Sequence, residues 1–338
     1  MKIAFFGSKP HEEEYLKNKI PASIPGAEAT FFPHILNKEN MPPQTDFEMI
    51  SVFVDSELTA EVLEKFPNLK LIATQSTGFD HIDLEYCRSK NITVSSVPSY
   101  GENTVAEYAF ALILCLSRKI YEGYDRLREI GSFSFEGLRG FDLKGKTIGV
   151  IGTGHIGRHV IKIAKGFEMN ILAYDPMPTP RFAEETGFTY LSFEEVLAKS
   201  DVVTFHVPLT EQTRHMVNER TLNLMKKGAY IINTSRGGIV DTQALVKALK
   251  EGRLGGAGVD VMEEEDVLKD EMTFLMKGRE EEHNLKTILA DHILIDTPNV
   301  IVTPHNAFNT DEALQRILDT TMANISGFIR GAPLNVVK

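Results

Sequence analysis

Thr147-Ile148-Gly149-Val150-Ile151-Gly152-Thr153-Gly154-His155-Ile156-Gly157 is the stretch on which the fold of this 338-residue chain turns. Its first five residues form a short apolar run of strand character. Three glycines follow in the spacing Gly-x-Gly-x-x-Gly, and an amphipathic helical pattern follows them. Each glycine has its own physical reason. The first permits a tight turn, the second lets the backbone approach a pyrophosphate, and the third lets helix pack on strand. The helix then offers free N–H groups and a partial positive charge to the anion. Asp175 lies 18 residues past Gly157 and closes the next strand in Tyr174-Asp175-Pro176. A carboxylate there accepts hydrogen bonds from an adenosine ribose and repels a 2′-phosphate, so the segment reads as a site for NAD.

Working outward, the alternation continues in both directions. Downstream strands are expected at 147–151, 170–174, 201–205, 229–233, 256–261 and 300–303. Upstream ones are expected at 2–6, 29–32, 50–54, 69–73 and 92–95. Helical patterns fall between them. Thr59 and Asp241 read as caps, and Ser192-Phe-Glu-Glu195 and Thr104-Val-Ala-Glu107 as capping boxes, the latter opening a long apolar helix. Strands alternating with helices imply parallel sheets built of βαβ units, in two blocks. Residues 121–146 are polar, glycine-rich and in places aromatic, and read as an arm or linker. The acidic runs 263–266 and 280–282 flank a helical stretch that reads either as a solvated surface insertion or as a rim of the active-site mouth.

Composition narrows the function classes. An apolar share of 42% with 20 Phe and 9 Tyr excludes a mostly disordered chain. Forty-seven acidic against 36 basic residues give a net charge of -11, and no long Lys/Arg cluster stands out. Nucleic acid and anionic membrane surfaces are therefore not the expected partners. Two cysteines, Cys87 and Cys115, cannot build a disulfide framework or a four-thiolate zinc site and fit a reducing cytosol. The first apolar run is too short for a signal peptide, and the stretch 105–116 is too short to span a bilayer and contains Glu107. A cytoplasmic protein is expected. Two rival motifs fail on context. Gly140-Phe-Asp-Leu-Lys-Gly145-Lys146-Thr147 has P-loop spacing but precedes a strand, where a P-loop must precede a helix. His155 and His159 are spaced as metal ligands, but His155 falls inside the dinucleotide turn, and no metal is expected.

In open α/β sheets ligands bind outside the carboxyl ends of the strands. Four strands end there in polar punctuation: His206-Val207-Pro208-Leu209-Thr210, Asn233-Thr234-Ser235-Arg236-Gly237-Gly238, Gly258-Val259-Asp260-Val261 with Glu265 five residues on, and Thr303-Pro304-His305. Arg236, Asp260, Glu265 and His305 can therefore converge although they are far apart in sequence. With Ser76-Thr-Gly-Phe-Asp-His-Ile-Asp83, Val97-Pro-Ser-Tyr-Gly-Glu-Asn103 and Thr303-Pro-His-Asn-Ala-Phe308, these segments cover nearly the whole chain. In that order they resemble the NAD-dependent D-2-hydroxyacid dehydrogenase family, most of all its D-lactate dehydrogenase branch.

The resemblance implies an α/β fold of two doubly wound parallel-sheet domains with a cleft between them. A flavodoxin-like substrate domain would take residues 1–101 plus 308–338, and a Rossmann cofactor domain residues 102–307, with hinges near 100–102 and 306–308. It implies a catalytic Arg236, Glu265 and His305, with Asp260 by the nicotinamide carboxamide. Glu263 and Glu264 crowd Glu265, whose assignment rests on its distance from Asp260. The remaining cofactor set is Gly152, Gly154, His155, Ile156, Gly157, Asp175, Val207, Pro208, Thr213, Thr234 and Ser235. Thr77 and Gly78 would cap the substrate carboxylate, with Tyr100 and Phe53 nearby. The partners implied are a small 2-keto or 2-hydroxy acid and a second copy of the chain, joined through the cofactor domain.

The residue types suit hydride transfer to a 2-keto acid. An arginine fork binds a carboxylate in a bidentate way and polarises the carbonyl. A protonated histidine gives its proton to the developing alkoxide, and a nearby carboxylate favours the imidazolium. The expected reaction is reduction of a short keto acid by NADH, pyruvate to D-lactate first. The alternatives are a hydroxypyruvate/glycerate-type reductase and a dinucleotide-sensing, corepressor-like scaffold on the same fold.

Overall fold

Strands that are apolar on both faces need cover on both sides, and most strands here are buried almost end to end. The computed structural model describes residues 1–269 and 284–337. Chain contacts group into two units, Met1–Tyr100 with Thr310–Lys338, and Gly101–Asn309. The acidic run 280–282 and most of the stretch before it lie outside the described residues.

The first unit contains β1 (Lys2–Phe6), α1 (Pro10–Ser23), β2 (Glu28–Phe32), β3 (Met49–Val52), α2 (Ala60–Leu63), β4 (Leu71–Thr74), α3 (Leu84–Ser89) and β5 (Thr93–Ser95). The strands pair in parallel in the order β2-β1-β3-β4-β5, the flavodoxin-like arrangement. Thr59 caps α2 through the Val62 N–H as expected, but the helix is one turn long.

The second unit opens with α4 (Glu102–Arg118) and α5 (Ile120–Ile130). Then come β6 (Thr147–Ile151), α6 (His155–Gly166), β7 (Asn170–Tyr174), α7 (Pro180–Thr186), β8 (Thr189–Tyr190), α8 (Phe193–Lys199), β9 (Val202–Phe205) and α9 (Glu219–Leu222). The unit continues through β10 (Ala229–Asn233), α10 (Thr242–Lys250), β11 (Leu254–Val259), α11 (Glu265–Lys269), α12 (Leu285–Ile295) and β12 (Val300–Val302). The sheet runs β12-β11-β10-β9-β6-β7-β8, all parallel. Strand order reverses between β6 and β9, the switch point where a doubly wound sheet binds its ligand. The last helix, α13 (Asp311–Ile329), returns to the first unit. It packs Leu318, Met322 and Ile325 against Ile3, Phe5, Leu16 and Leu71.

Some boundaries differ from the sequence reading. Thr104 does not cap α4: its side chain is buried and the helix starts at the Gly101 N-cap, so the apparent capping box is the helix's own packed face. Residues 120–130 are a helix entered through Lys119 in the left-handed conformation at φ 51°. The strand expected at 256–261 begins at Leu254 and ends at Val259, which leaves Asp260 in the turn. Gly145-Lys146 is a turn into β6, so the P-loop spacing has no helix behind it.

Candidate active site

The three glycines after β6 separate by their surroundings. Gly152 sits at φ 91°, and a Cβ there would fall 2.4 Å from the His206 carbonyl oxygen. A Cβ on Gly157 would fall 2.0 Å from the Gly152 oxygen, so helix and turn touch there. A Cβ on Gly154 would meet nothing within 4 Å. That open space lies at the N-terminus of α6, where a pyrophosphate would need room, with His155 and Ile156 as the helix's first residues. Asp175 follows β7. Its Oδ2 accepts from the Thr153 N–H (2.7 Å) and Oγ1 (2.9 Å), and its Oδ1 from the Met177 N–H (2.8 Å). Tyr190 Oη lies 2.9 Å from Thr153 Oγ1, so Tyr190 holds the group that holds Asp175. No local pattern announces this contact, because β8 is two residues long.

At the ends of β9 and β10 two polar atoms are buried without a partner, His206 Nδ1 and Thr234 Oγ1. The other ring nitrogen of His206 lies 2.9 Å from Thr204 Oγ1, and burial pushes the imidazole down to about 3, so it is neutral at working pH. Buried polar atoms left unpaired are costly, and a polar ligand repairs the deficit. Together with the space over Gly154, they fit a dinucleotide laid across the switch point. Val207 packs against the Gly152 turn. Thr213 Oγ1 donates to the Pro208 carbonyl (2.6 Å) and Ser235 Oγ to the Phe205 carbonyl (2.6 Å), so these two hydroxyls shape the loops around it.

Arg236, Glu265 and His305 follow β10, β11 and β12, three neighbouring strands of one sheet. Asn233 clamps the arginine turn: its Oδ1 accepts the Ser235 N–H (3.1 Å) and its Nδ2 donates to the Arg236 carbonyl (2.9 Å). Arg236 is half-buried. Gly237 follows, and a Cβ there would meet the Met262 oxygen at 1.9 Å. The arginine turn and the glutamate turn are therefore in backbone contact. His305 holds φ 50°, a left-handed conformation unusual outside glycine. Asp260 makes that possible. Buried to 1% exposure, it accepts from Thr303 Oγ1 (2.5 Å) and from the N–H groups of Asn306 (2.9 Å) and Ala307 (2.8 Å), and its carbonyl accepts the His305 N–H (2.7 Å). Burial raises the Asp260 carboxyl, and these donors oppose the rise. Both oxygens thus serve the turn that aims His305.

The three consecutive glutamates have three different partners. Glu265 Oε1 lies 3.1 Å from His305 Nδ1. Glu263 pairs with His215 Nε2 at 2.5 Å and accepts the Thr242 N–H at 2.8 Å. Glu264 accepts the Asn284 N–H at 3.2 Å. Of the three, Glu265 meets the histidine.

The remaining sequence-marked residues belong to the first unit. Thr77 and Gly78 form the turn after β4, with Thr77 Oγ1 donating to the Val97 carbonyl (2.8 Å) and Ser76 Oγ to the Gly78 carbonyl (2.6 Å). Phe53 follows β3 and is half-buried, as is Tyr100, whose carbonyl accepts from Arg316.

A carboxylate–histidine pair, an arginine on the next turn and a dinucleotide switch point on one sheet can carry hydride transfer with proton donation. The family profile described as D-isomer specific 2-hydroxyacid dehydrogenase, NAD binding domain, matches residues 110–307. The chain belongs to the D-2-hydroxyacid dehydrogenases. It is 41% identical to the 2-hydroxyacid dehydrogenase homolog of Zymomonas mobilis over 96% of both chains. It is 36% identical to the D-lactate dehydrogenase of Escherichia coli over 98% of both. Among solved structures it resembles D-lactate dehydrogenase from Aquifex aeolicus complexed with NAD and lactic acid. There the TM-score is 0.86 at 36% identity, covering 98% of this chain and 96% of that one. The protein is therefore an NAD-dependent oxidoreductase, and its two parallel sheets are those of the family. Among the described residues, no helix is long and apolar enough to cross a membrane.

Proposed function

We propose that this dehydrogenase reduces pyruvate to D-lactate with NADH, in the cytoplasm and as a homodimer. The observation that carries the reading is the Glu265–His305 pair at 3.1 Å, set beside the Arg236 turn. Arg236 binds the substrate carboxylate with its planar fork and polarises the keto group. His305 donates its proton to the oxygen as it becomes an alkoxide, and Glu265 orients the ring and stabilises its charged form. Asp260 holds the His305 turn. When bound, the nicotinamide supplies the hydride; Gly154, Asp175, His206 and Thr234 would hold the cofactor. From the first unit, the Thr77–Gly78 turn, Phe53 and Tyr100 are proposed as substrate contacts. Likeness to proteins named D-lactate dehydrogenase favours pyruvate over hydroxypyruvate.

The test is NADH oxidation with pyruvate, hydroxypyruvate and glyoxylate, followed by chiral analysis of the product. Pyruvate should give the highest kcat/KM, and the product should be the D isomer. Arg236→Lys should lose roughly 2–4 kcal/mol of transition-state stabilisation, because an ammonium cannot replace the fork. A preference for hydroxypyruvate would move the assignment to the glycerate type. Binding of NADH with no turnover of any keto acid would favour a sensing scaffold.

A further inference from the structure

We propose that Glu263 is a positioning residue that fixes the turn bearing Glu265 against the turn bearing Arg236. The proposal rests on the roles given above to those two residues. The Glu263 side chain is 14% exposed and bonded on both oxygens. Oε2 accepts the N–H of Thr242, the first residue of α10, and Oε1 meets His215 Nε2. His215 in turn donates its own N–H to the Gly238 carbonyl at 2.8 Å, two residues past Arg236. A ring therefore closes: Arg236 turn to His215, His215 to Glu263, Glu263 to the start of α10, and α10 back to the Arg236 turn. Inside the ring the two turns touch, since a Cβ on Gly237 would lie 2.5 Å from the Glu263 nitrogen. A helix's first amides have no partner within the helix, so a carboxylate on the Thr242 N–H is a strong anchor. Two residues on from this anchor, Glu265 reaches His305. Hydride transfer needs the arginine fork and the proton donor at a fixed separation. A displacement of about 1 Å there costs up to about 100-fold in rate.

The test removes the anchor from each end. Glu263→Ala deletes the acceptor. Thr242→Pro deletes the N–H, together with the hydroxyl, at the first position of a helix, where proline is well tolerated. Asp241 already has the extended conformation (φ -66°, ψ 106°) that suits a following proline. Thr242→Ala keeps the N–H and controls for the lost hydroxyl. Glu263→Ala and Thr242→Pro should each lower kcat for the keto acid by about tenfold or more, with KM changed by less than about threefold. NADH affinity, read by fluorescence, should stay within about twofold, and the double variant should be little worse than either single one. Glu263→Gln still accepts from Thr242 and should recover most of kcat. Wild-type kcat in Thr242→Pro, or equal losses of kcat, keto-acid binding and NADH binding, would overturn the proposal. If Glu263→Ala does not fold, Thr242→Pro decides by the same criteria. A wild-type protein that turns over no keto acid removes the functional reading itself, whereas an active wild type with an indifferent Thr242→Pro removes only the role of Glu263.

Discussion

Asp291 is fully buried on α12, with Oδ2 accepting the Glu264 N–H and Oδ1 without a partner. Burial pushes its carboxyl up to about 6; the charges of Glu263 and Glu264 add to the rise, while the Glu264 N–H and the Thr242 hydroxyl oppose it. In the unfolded chain the same group titrates near 3.9. Between about pH 4 and pH 6 the folded state therefore holds a proton that the unfolded state has lost, and stability falls as pH rises. The full shift of about two units is worth about 3 kcal/mol. In Asp291→Asn this limb should vanish, so the variant should gain on the wild type across that window and level off above it. Urea midpoints at intervals from pH 4 to pH 7 measure the difference, and a flat difference contradicts the assignment. At Asp175 the expected consequence is cofactor choice. Asp175→Ala should narrow the preference for NADH over NADPH, read as the ratio of Kd values, because it removes the carboxylate that repels a 2′-phosphate. Equal NADH and NADPH affinity in the wild type would remove that role. The chemistry of Asp175 was legible in the sequence because its spacing from Gly157 is fixed by one helix and one strand. The partners of Glu263 and Glu264 were not, since they lie on the β9–β10 connection, at the start of α10 and at and within α12, segments that no local pattern connects to them.

At the scale of elements, the turn between β6 and α6 separates packing from binding. Gly157→Ala would drive a Cβ into the Gly152 carbonyl and should destabilise the domain. Gly154→Ala should not. Gly154 has an ordinary extended conformation (φ -67°, ψ -159°) and open space at its Cβ. Its stability should change by less than about 1 kcal/mol, while NADH affinity should fall about tenfold as the added methyl occupies the pyrophosphate's room. Thermal unfolding and fluorescence titration on one sample separate the two effects. Unchanged NADH affinity would mean that the dinucleotide does not approach that glycine. The same turn shows why sequence reading succeeds in some elements and fails in others. A strand, three glycines and a helix are local, and they stand where the spacing put them. Thr104 misled because the capping pattern Thr-x-x-Glu also arises by chance on an apolar helix. What decided the start of α4 was burial of Thr104, a tertiary fact. Residues 120–130 misled in the other direction: Ile120, Tyr124 and Leu127 recur at helical spacing, but Gly123 and Gly131 break the stretch and the polar, glycine-rich residues after it read as a linker.

That unburied helix bears on the whole molecule. α5 and the segment after it expose Ile120, Tyr121, Tyr124, Leu127 and Ile130, and Phe133 and Phe135 are 95% and 92% exposed. Isolated apolar side chains on a surface need no explanation, but seven large ones within 16 residues form a patch of the kind that marks an interface. A second copy of the chain is the simplest cover. A two-fold axis brings the same patch to itself, so one apolar surface suffices for both partners. Lys119 and Glu122 at the start of α5 pair with each other at 2.9 Å, which leaves neither charge opposed to that contact. The protein should therefore sediment as a dimer at micromolar concentration. Ile130→Glu with Phe133→Glu should place like charges against each other across the axis and shift the population to monomer. Neither residue packs into the cofactor domain's core, so the monomer should keep its thermal midpoint for that domain and its NADH affinity. A wild-type chain that sediments as a monomer would contradict the dimer. A double variant that remains dimeric would place the contact elsewhere on the surface.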